Sequence, residues 1–313
     1  MPAVCHPDVF ITHPAARSCH AATVTFLSDG RPLVAWFGGS GEGDPDTAVY
    51  AAVWTGSAWS PPRLLFKLLP VAHWNPVLFA PADGTLRLFF QTGWSPRNWG
   101  SWISASVDDG ETWSDPVRLG LPEEPVGPIR TPPIVSASGA WIAGCSWEST
   151  SRWDAHASIS RDGGRTWTAH PVSCRHADLS GKGLIQPAVW QSRPGHIHML
   201  LRSTAGRIYR SDSADDGRTW SAAYATDLPN NNSGIAVCRH GDTLWLACNP
   251  VERGRTPLTL LTSSDNGATW TTHTTVESGE GEYSYPTLVA VPDAVWLVYT
   301  WQRQRIRFHA APV

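Results

Sequence analysis

The segment SVDDGETW at residues 106–113 returns as SRDGGRTW (160–167), SADDGRTW (213–220) and SSDNGATW (263–270). The shared pattern is S-x-D-x-G-x-x-W, and its first serines lie 54, 53 and 50 residues apart. A fixed period of this size marks an array of equal structural units. The pattern has a mechanical reading. An aspartate can accept backbone N–H groups inside a tight turn, and the glycine supplies a positive φ. The tryptophan then folds back over the turn and packs between neighbouring units. Asp108, Asp162, Asp215 and Asp265 are therefore read as hairpin staples and not as catalysts.

A second signature runs in phase with the first. Six segments open on a polar residue and continue as a short apolar run: CHAATVTF (from 19), WNPVLFAP (74), RTPPIVSA (130), IQPAVWQS (185), NSGIAVCR (232) and YPTLVAVP (285). Each leads into a turn and a second apolar strand. In the first unit WTGSAW (54–59) replaces the repeated turn, keeping the tryptophan and losing the serine and aspartate. These features predict an all-β chain, a six-bladed β-propeller of four-stranded antiparallel blades, as one domain over residues 1–313. Only three strands fit after Tyr285, so VCHPDVFITH (4–13) is expected to supply the fourth strand of the last blade. That pairing closes the ring and removes an open sheet edge.

Composition narrows the function. Of 313 residues 16% are charged, with a net charge of −3, and no basic run suggests nucleic acid. The 18 tryptophans, 27 glycines and 26 prolines suit many short strands and turns. No apolar stretch is long enough to span a membrane. The N-terminus has no basic and then apolar leader, and the six cysteines form no C-x-x-C pair. The simplest expectation is reduced thiols in a cytoplasmic protein, with a trimmed secreted precursor as the alternative. The histidines are scattered, no metal-ligand spacing is present and no glycine-rich phosphate loop leads into a helix. No metal or cofactor is expected.

With the repeated turns between third and fourth strands, the opposite face carries the inner-strand starts and the loops GGSGEGDPD (38–46), QTGWSPRNWG (91–100), SWESTSRWD (146–154), RSTAGR (202–207), NPVERGR (249–255) and WQRQR (301–305). Sites collect on such loops. In repeats, turns and inner-strand starts the chain resembles the sialidase (neuraminidase) superfamily, and bacterial BNR-repeat proteins within it. The resemblance implies an exo-acting glycosidase that releases a terminal carboxylate-bearing sugar. It attacks through a tyrosine, activated by a nearby carboxylate and supported by an arginine clamp, and is an exception to the two-carboxylate pattern of glycosidases.

YPTL (285–288) is similar to the family's nucleophile strand, which makes Tyr285 the candidate nucleophile and Tyr283 its fallback. Arg202 and Arg255 resemble clamp arginines, whose planar forks match a carboxylate. Asp46 resembles the acid/base, with Asp44 as fallback. Two positions depart from the family: Cys19-His20-Ala21 stands where its first arginine is expected, and Gln186 where its activating glutamate is expected. Arg130, or Arg17, is the candidate to complete the clamp. His20 is a candidate base, Asn75 and Gln186 are candidate polar groups of the central well, and Trp74, Trp94, Trp99, Trp147, Trp153 and Trp301 could stack on sugars. The partner expected is an acidic glycan, with the oligomeric state left open. Two other readings stand beside the hydrolase: a lyase cutting next to a uronic acid with His20 and Tyr285 as base and acid, and a glycan-binding propeller without catalysis.

Overall fold

The computed structural model describes residues 8–121 and 124–313. Six antiparallel sheets follow one another along the chain as the blades of a propeller. Their inner strands are Ser18–Phe26, His73–Phe79, Ile134–Val135, Leu184–Arg193, Ala236–His240 and Tyr283–Val291. Among the described residues five sheets have four strands and the sixth has three. Its outer edge is met by the N-terminal segment: Asp8 pairs antiparallel with Arg307, and the Val9 N–H bonds the Ile306 carbonyl at 2.9 Å. Asp8 also forms an ion pair with Arg307 at 2.8 Å. The ring closes where the sequence predicted, over fewer residues; residues 4–7 of the expected strand lie outside the described residues. Among the described residues helix is limited to two 3-10 turns, Pro96–Asn98 and His176–Asp178, and none is long and apolar enough to cross a membrane.

The blades are sandwiched by apolar clusters, because alternate residues of a strand face opposite neighbours. In blade 2, Leu88 and Phe90 pack against blade 1, whereas Val77, Phe79 and Phe89 pack against Trp141 of blade 3. Trp36, Phe10 and Phe308 close the seam between blades 1 and 6. Blade 3 has the shortest inner strand, two residues, because Pro132 and Pro133 before it have no N–H to give to a ladder.

The four repeated turns lie between third and fourth strands and share one bond set. The serine hydroxyl donates to the aspartate at 2.8 Å in all four. The aspartate accepts the N–H and the hydroxyl of the threonine just before the tryptophan, as in Asp162 with Thr166 at 2.9 and 2.6 Å. That threonine stands in every copy and belongs to the motif. In Asp108, Asp162 and Asp265 its hydroxyl is the main reason that the carboxyl falls from 3.8 to about 2. In Asp215 slight burial opposes the shift, and the Thr219 bonds outweigh it to the same value. In the first unit Trp54 and Trp59 pair across the turn with rings 5.5 Å apart.

Blades 3 and 4 approach closely at Gly144, where an added Cβ would sit 1.9 Å from the Pro187 carbonyl oxygen. Gly144→Ala is expected to destabilise the protein by about 1–3 kcal/mol, read as a lower denaturant midpoint at unchanged slope. The depressed aspartates give stability that is complete above pH 3.8 and is lost as pH falls toward 2. Denaturant midpoints measured down this range should fall steeply in the wild type and more gently in Asp162→Asn. An equal slope in both would show that the staple carries no linkage.

Candidate active site

The well at the start of the inner strands owes its shape to a repeated backbone kink. Ala21, Asn75, Gln186, Asn232 and Tyr285 occupy corresponding positions near the starts of five inner segments, and all have positive φ, between 39° and 59°. Strand register breaks at four of these places, between His20 and Thr23, Trp74 and Val77, Ile185 and Ala188, and Ser284 and Thr287. A left-handed residue other than glycine costs about 1–2 kcal/mol. It is tolerated here because the kink turns one side chain of each strand toward the axis. Tyr285 is thereby separated from Tyr283, which an unbroken strand would place on the same face.

Tyr285 is 8% exposed and packs in a buried cluster with Ala21, Phe37, Trp74, Trp99 and Cys145. Its phenolic oxygen accepts a 2.6 Å hydrogen bond from Arg202 Nη1. Arg202 Nη1 also bonds Gln186 Oε1 at 2.9 Å, and its Nε bonds Asn232 Oδ1 at 3.0 Å. Its Nη2 has no hydrogen-bond partner among the described residues. The guanidinium carbons of Arg130, Arg202 and Arg255 lie 5.2, 5.4 and 5.4 Å from the centre of the Tyr285 ring. His20 packs against that ring at 4.1 Å.

These arginines are not equivalent. Arg130 is fully buried, and its fork bonds the carbonyls of Tyr285, Pro286 (2.8 Å) and Ala22 (3.3 Å) and the Thr287 hydroxyl (3.1 Å). Its terminal nitrogens are committed to the backbone beneath the well, so the expected place in a carboxylate clamp is corrected: a carboxylate would have to displace backbone bonds to reach it. Burial first, then the Arg202 charge, opposed by the Tyr285 phenol, lowers its own pKa to about 10. Arg17 is exposed on the segment before the first inner strand.

Arg255 donates to Glu282 at 2.6 Å, and Arg303 donates to the same oxygen at 2.9 Å while its other arm reaches Glu42. Glu282 also accepts the Ser284 hydroxyl at 2.8 Å. Burial works against its charge, but Arg255 and Arg303 win and hold its carboxyl below the ordinary value. Arg303 is thus a further well-side cation, contributed by the WQRQR loop.

His20 is completely buried, and neither ring nitrogen has a partner among the described residues. Burial pushes its pKa well below 6.5, and the charges of Arg303, Arg255, Arg130 and Arg202 push the same way. It stands as a neutral imidazole too weak to serve as a strong base.

Glu148 ends the second strand of blade 3, and its Oε1 is buried without a partner. Burial raises its pKa above 4.5, against the pull of Arg202 and Lys182. A carboxyl raised in this way suits proton transfer, and its position on SWESTSRWD was the only signal for it.

The remaining candidates separate. Asp46 is exposed and closes its own loop, accepting the Ser40 hydroxyl at 2.7 Å and the Ser40 N–H at 3.0 Å. The hydroxyl is the main reason that its carboxyl falls below the ordinary value. Asp44 is exposed in the same loop. Asn75 is 3% exposed at the ring position equivalent to Gln186. Tyr283 does not reach the well: it packs in the seam of blades 5 and 6, and its hydroxyl donates to the Glu280 carbonyl at 3.2 Å. Its expected place in the site, as fallback to Tyr285, is corrected by the kink at Tyr285. Trp74 and Trp99 form the wall, their rings 5.8 Å apart, and Trp147 stacks on His156 at 4.0 Å. Trp94, 62% exposed, is the most open of the six tryptophans.

Structural relatives share the fold at low identity. The Hadza microbial sialidase Hz136 superposes with a TM-score of 0.79 at 17% identity, over 95% of this chain and 66% of its own. A Dyadobacter fermentans protein of unknown function gives 0.79 and 17% over the full length of both chains. The intramolecular trans-sialidase of Ruminococcus gnavus, solved with oseltamivir carboxylate, gives 0.76 and 14% over 99% and 98%. No curated protein matches the chain. The profile of the BNR repeat-like domain matches residues 30–298, which takes in every copy of the repeated turn, and this chain belongs to that family.

Proposed function

We propose that the well binds a terminal carboxylate-bearing sugar and cleaves its glycosidic bond by sialidase-type chemistry. The observation that supports this most is the 2.6 Å bond from Arg202 to the Tyr285 oxygen inside a ring of guanidinium groups. A cationic well with free Nη donors suits a sugar carboxylate, and a neutral phenol avoids the repulsion that an anionic nucleophile would meet. Arg202, Arg255 and Arg303 bind the carboxylate. Tyr285 Oη attacks the anomeric carbon as the bond to the leaving oxygen breaks, and its proton passes to Glu148 directly or through a water. Water then releases the sugar from the tyrosine. Asp46 takes up a proton once its Ser40 bonds open and the bound glycan shields it from water, and passes that proton to the leaving oxygen. Gln186 cannot take a proton and orients Arg202. Trp94 offers a stacking surface for the rest of the glycan.

The test is fluorophore release from an aryl α-sialoside. Tyr285→Phe should lose about 10³-fold or more in kcat. Arg202→Lys, which removes the fork, should lose about 1.5–3 kcal/mol, or about 10–100-fold in kcat/KM. Binding of sialic acid without turnover in the wild type would sink the catalytic reading and leave a glycan-binding propeller.

Glu148 must be ionised to act, so kcat/KM should climb with pH through a value above 4.5, and Glu148→Gln should remove that limb. Aryl leaving groups need little protonation. Asp46→Asn should therefore slow a sialyl-galactoside far more than an aryl sialoside. His20, held neutral by burial and the arginines, should show no ring titration by NMR between about pH 8 and about pH 5. Ring titration near 6.5 would overturn the cationic, water-poor description of the well.

A further inference from the structure

The segment joining the outer strand of blade 3 (Thr168–Pro171) to the inner strand of blade 4 carries Cys174 and His176. Asp154 lies near the start of the third strand of blade 3, Trp153–Ser160. One donor atom from each of these three half-buried side chains lies within 4.8 Å of the other two. His176 Nε2 is already 2.8 Å from Asp154 Oδ1. We propose that Asp154, Cys174 and His176 form a zinc site that staples this inter-blade segment to blade 3.

The donor set argues for the ion. Thiolate, imidazole and carboxylate are the ligands zinc takes, at about 2.0–2.3 Å, whereas calcium and magnesium require oxygen donors throughout. Tetrahedral donors at those distances stand about 3.3–3.8 Å apart. The cluster needs only small side-chain shifts to reach that spacing, and three protein ligands leave the fourth position to water. Arg152 Nε bonds both Asp154 oxygens, at 3.0 and 2.8 Å, from a side chain that is 62% exposed. A carboxylate has about four lone-pair positions, so Arg152 can remain as an outer partner that orients the ligand.

The surrounding backbone is built to hold the three together. The Trp153 N–H donates to the Lys182 carbonyl at 2.9 Å, and Trp153 pairs in parallel with Gly183. Gly183 has φ of 138°; a Cβ there would stand 2.2 Å from the Trp153 carbonyl oxygen and 3.0 Å from His176 Cε1. Glycine is what lets the segment lie so close. The same segment brings Lys182 within electrostatic range of Glu148, and Ser180 into a polar cavity of about 320 Å³ shared with Asn230, Asn231 and Asn232, the last bonded to Arg202. A metal here would fix the rim of the well without entering it.

The experiment uses the full chain, stripped with a chelator under reducing conditions and titrated with zinc against a chromophoric chelator, and separately with cobalt(II). One zinc per chain is expected. Cobalt should give a thiolate charge-transfer band and the visible bands of a tetrahedral ion. Cys174→Ser should abolish the charge-transfer band, and His176→Ala should weaken zinc binding by at least about tenfold, both with unchanged far-ultraviolet circular dichroism. Absence of a bound equivalent in the wild type would overturn the proposal. So would zinc affinity and cobalt spectra that are the same in both variants, which would place any metal elsewhere. Because these readouts are independent of turnover, the proposal stands or falls apart from the glycosidase reading.

Discussion

One buried guanidinium underlies the geometry of the well. The kinks that aim side chains at the axis break the strand ladders and leave backbone carbonyls without their usual partners, a cost that has to be met from within the protein. Arg130, entering from blade 3, donates to carbonyls of the first inner strand at Ala22 and of the last at Tyr285 and Pro286. It therefore ties three blades together at the point where the ring closes, and holds Tyr285 in its left-handed conformation. Thr287 adds a 2.7 Å bond to the same Ala22 carbonyl. The tyrosine is positioned by this buried scaffold, not by its own strand.

That arrangement concentrates positive charge. Burial first, and then the charges of Arg303, Arg255, Arg130 and Arg202, keep His20 uncharged. The excess is balanced unevenly. Glu282 and Glu42 serve Arg255 and Arg303 at the rim, while Arg202 is held by the neutral groups Gln186, Asn232 and Tyr285. Its charge is accordingly less neutralised at close range than those of Arg255 and Arg303, and its terminal nitrogens, unlike those of Arg130, are not all committed to the backbone, so it is the best suited to meet an anion. Gln186 in place of a glutamate is consistent with this: a carboxylate at 2.9 Å would pair with Arg202 and compete with substrate. Glu148 forms no ion pair with Arg202 among the described residues and leaves it available.

Several features of the site were legible in the sequence. Tyr285, Arg202 and Arg255 come together as the strand starts and loop ends indicated. The others depended on facts that spacing does not carry. Arg130 and Arg202 are both arginines on the same face, and only burial and hydrogen-bond partners separate a backbone stitch from an anion donor. Tyr283 and Tyr285 differ because one residue has positive φ. Glu148 and Arg303 sat in loops marked as facing the well, but nothing local distinguished them from solvated charges. Asp154, Cys174 and His176 match no ligand motif, since the cluster forms only when two segments pack side by side.

The repeat by itself determined the architecture. Its period set the size of a blade, its serine, aspartate, threonine and glycine built each hairpin turn from bonds within eight residues, and the alternation of apolar residues set which neighbour each side chain faced. These are local interactions, so they can be read along the chain. The chemistry of the well was decided by tertiary structure alone. It depends on which carbonyls are left unpaired, which charges share a desolvated space and which side chain a kink turns inward, and these join residues of different strands and blades, 108 to 157 positions apart for Arg130 and 83 for Arg202 with Tyr285.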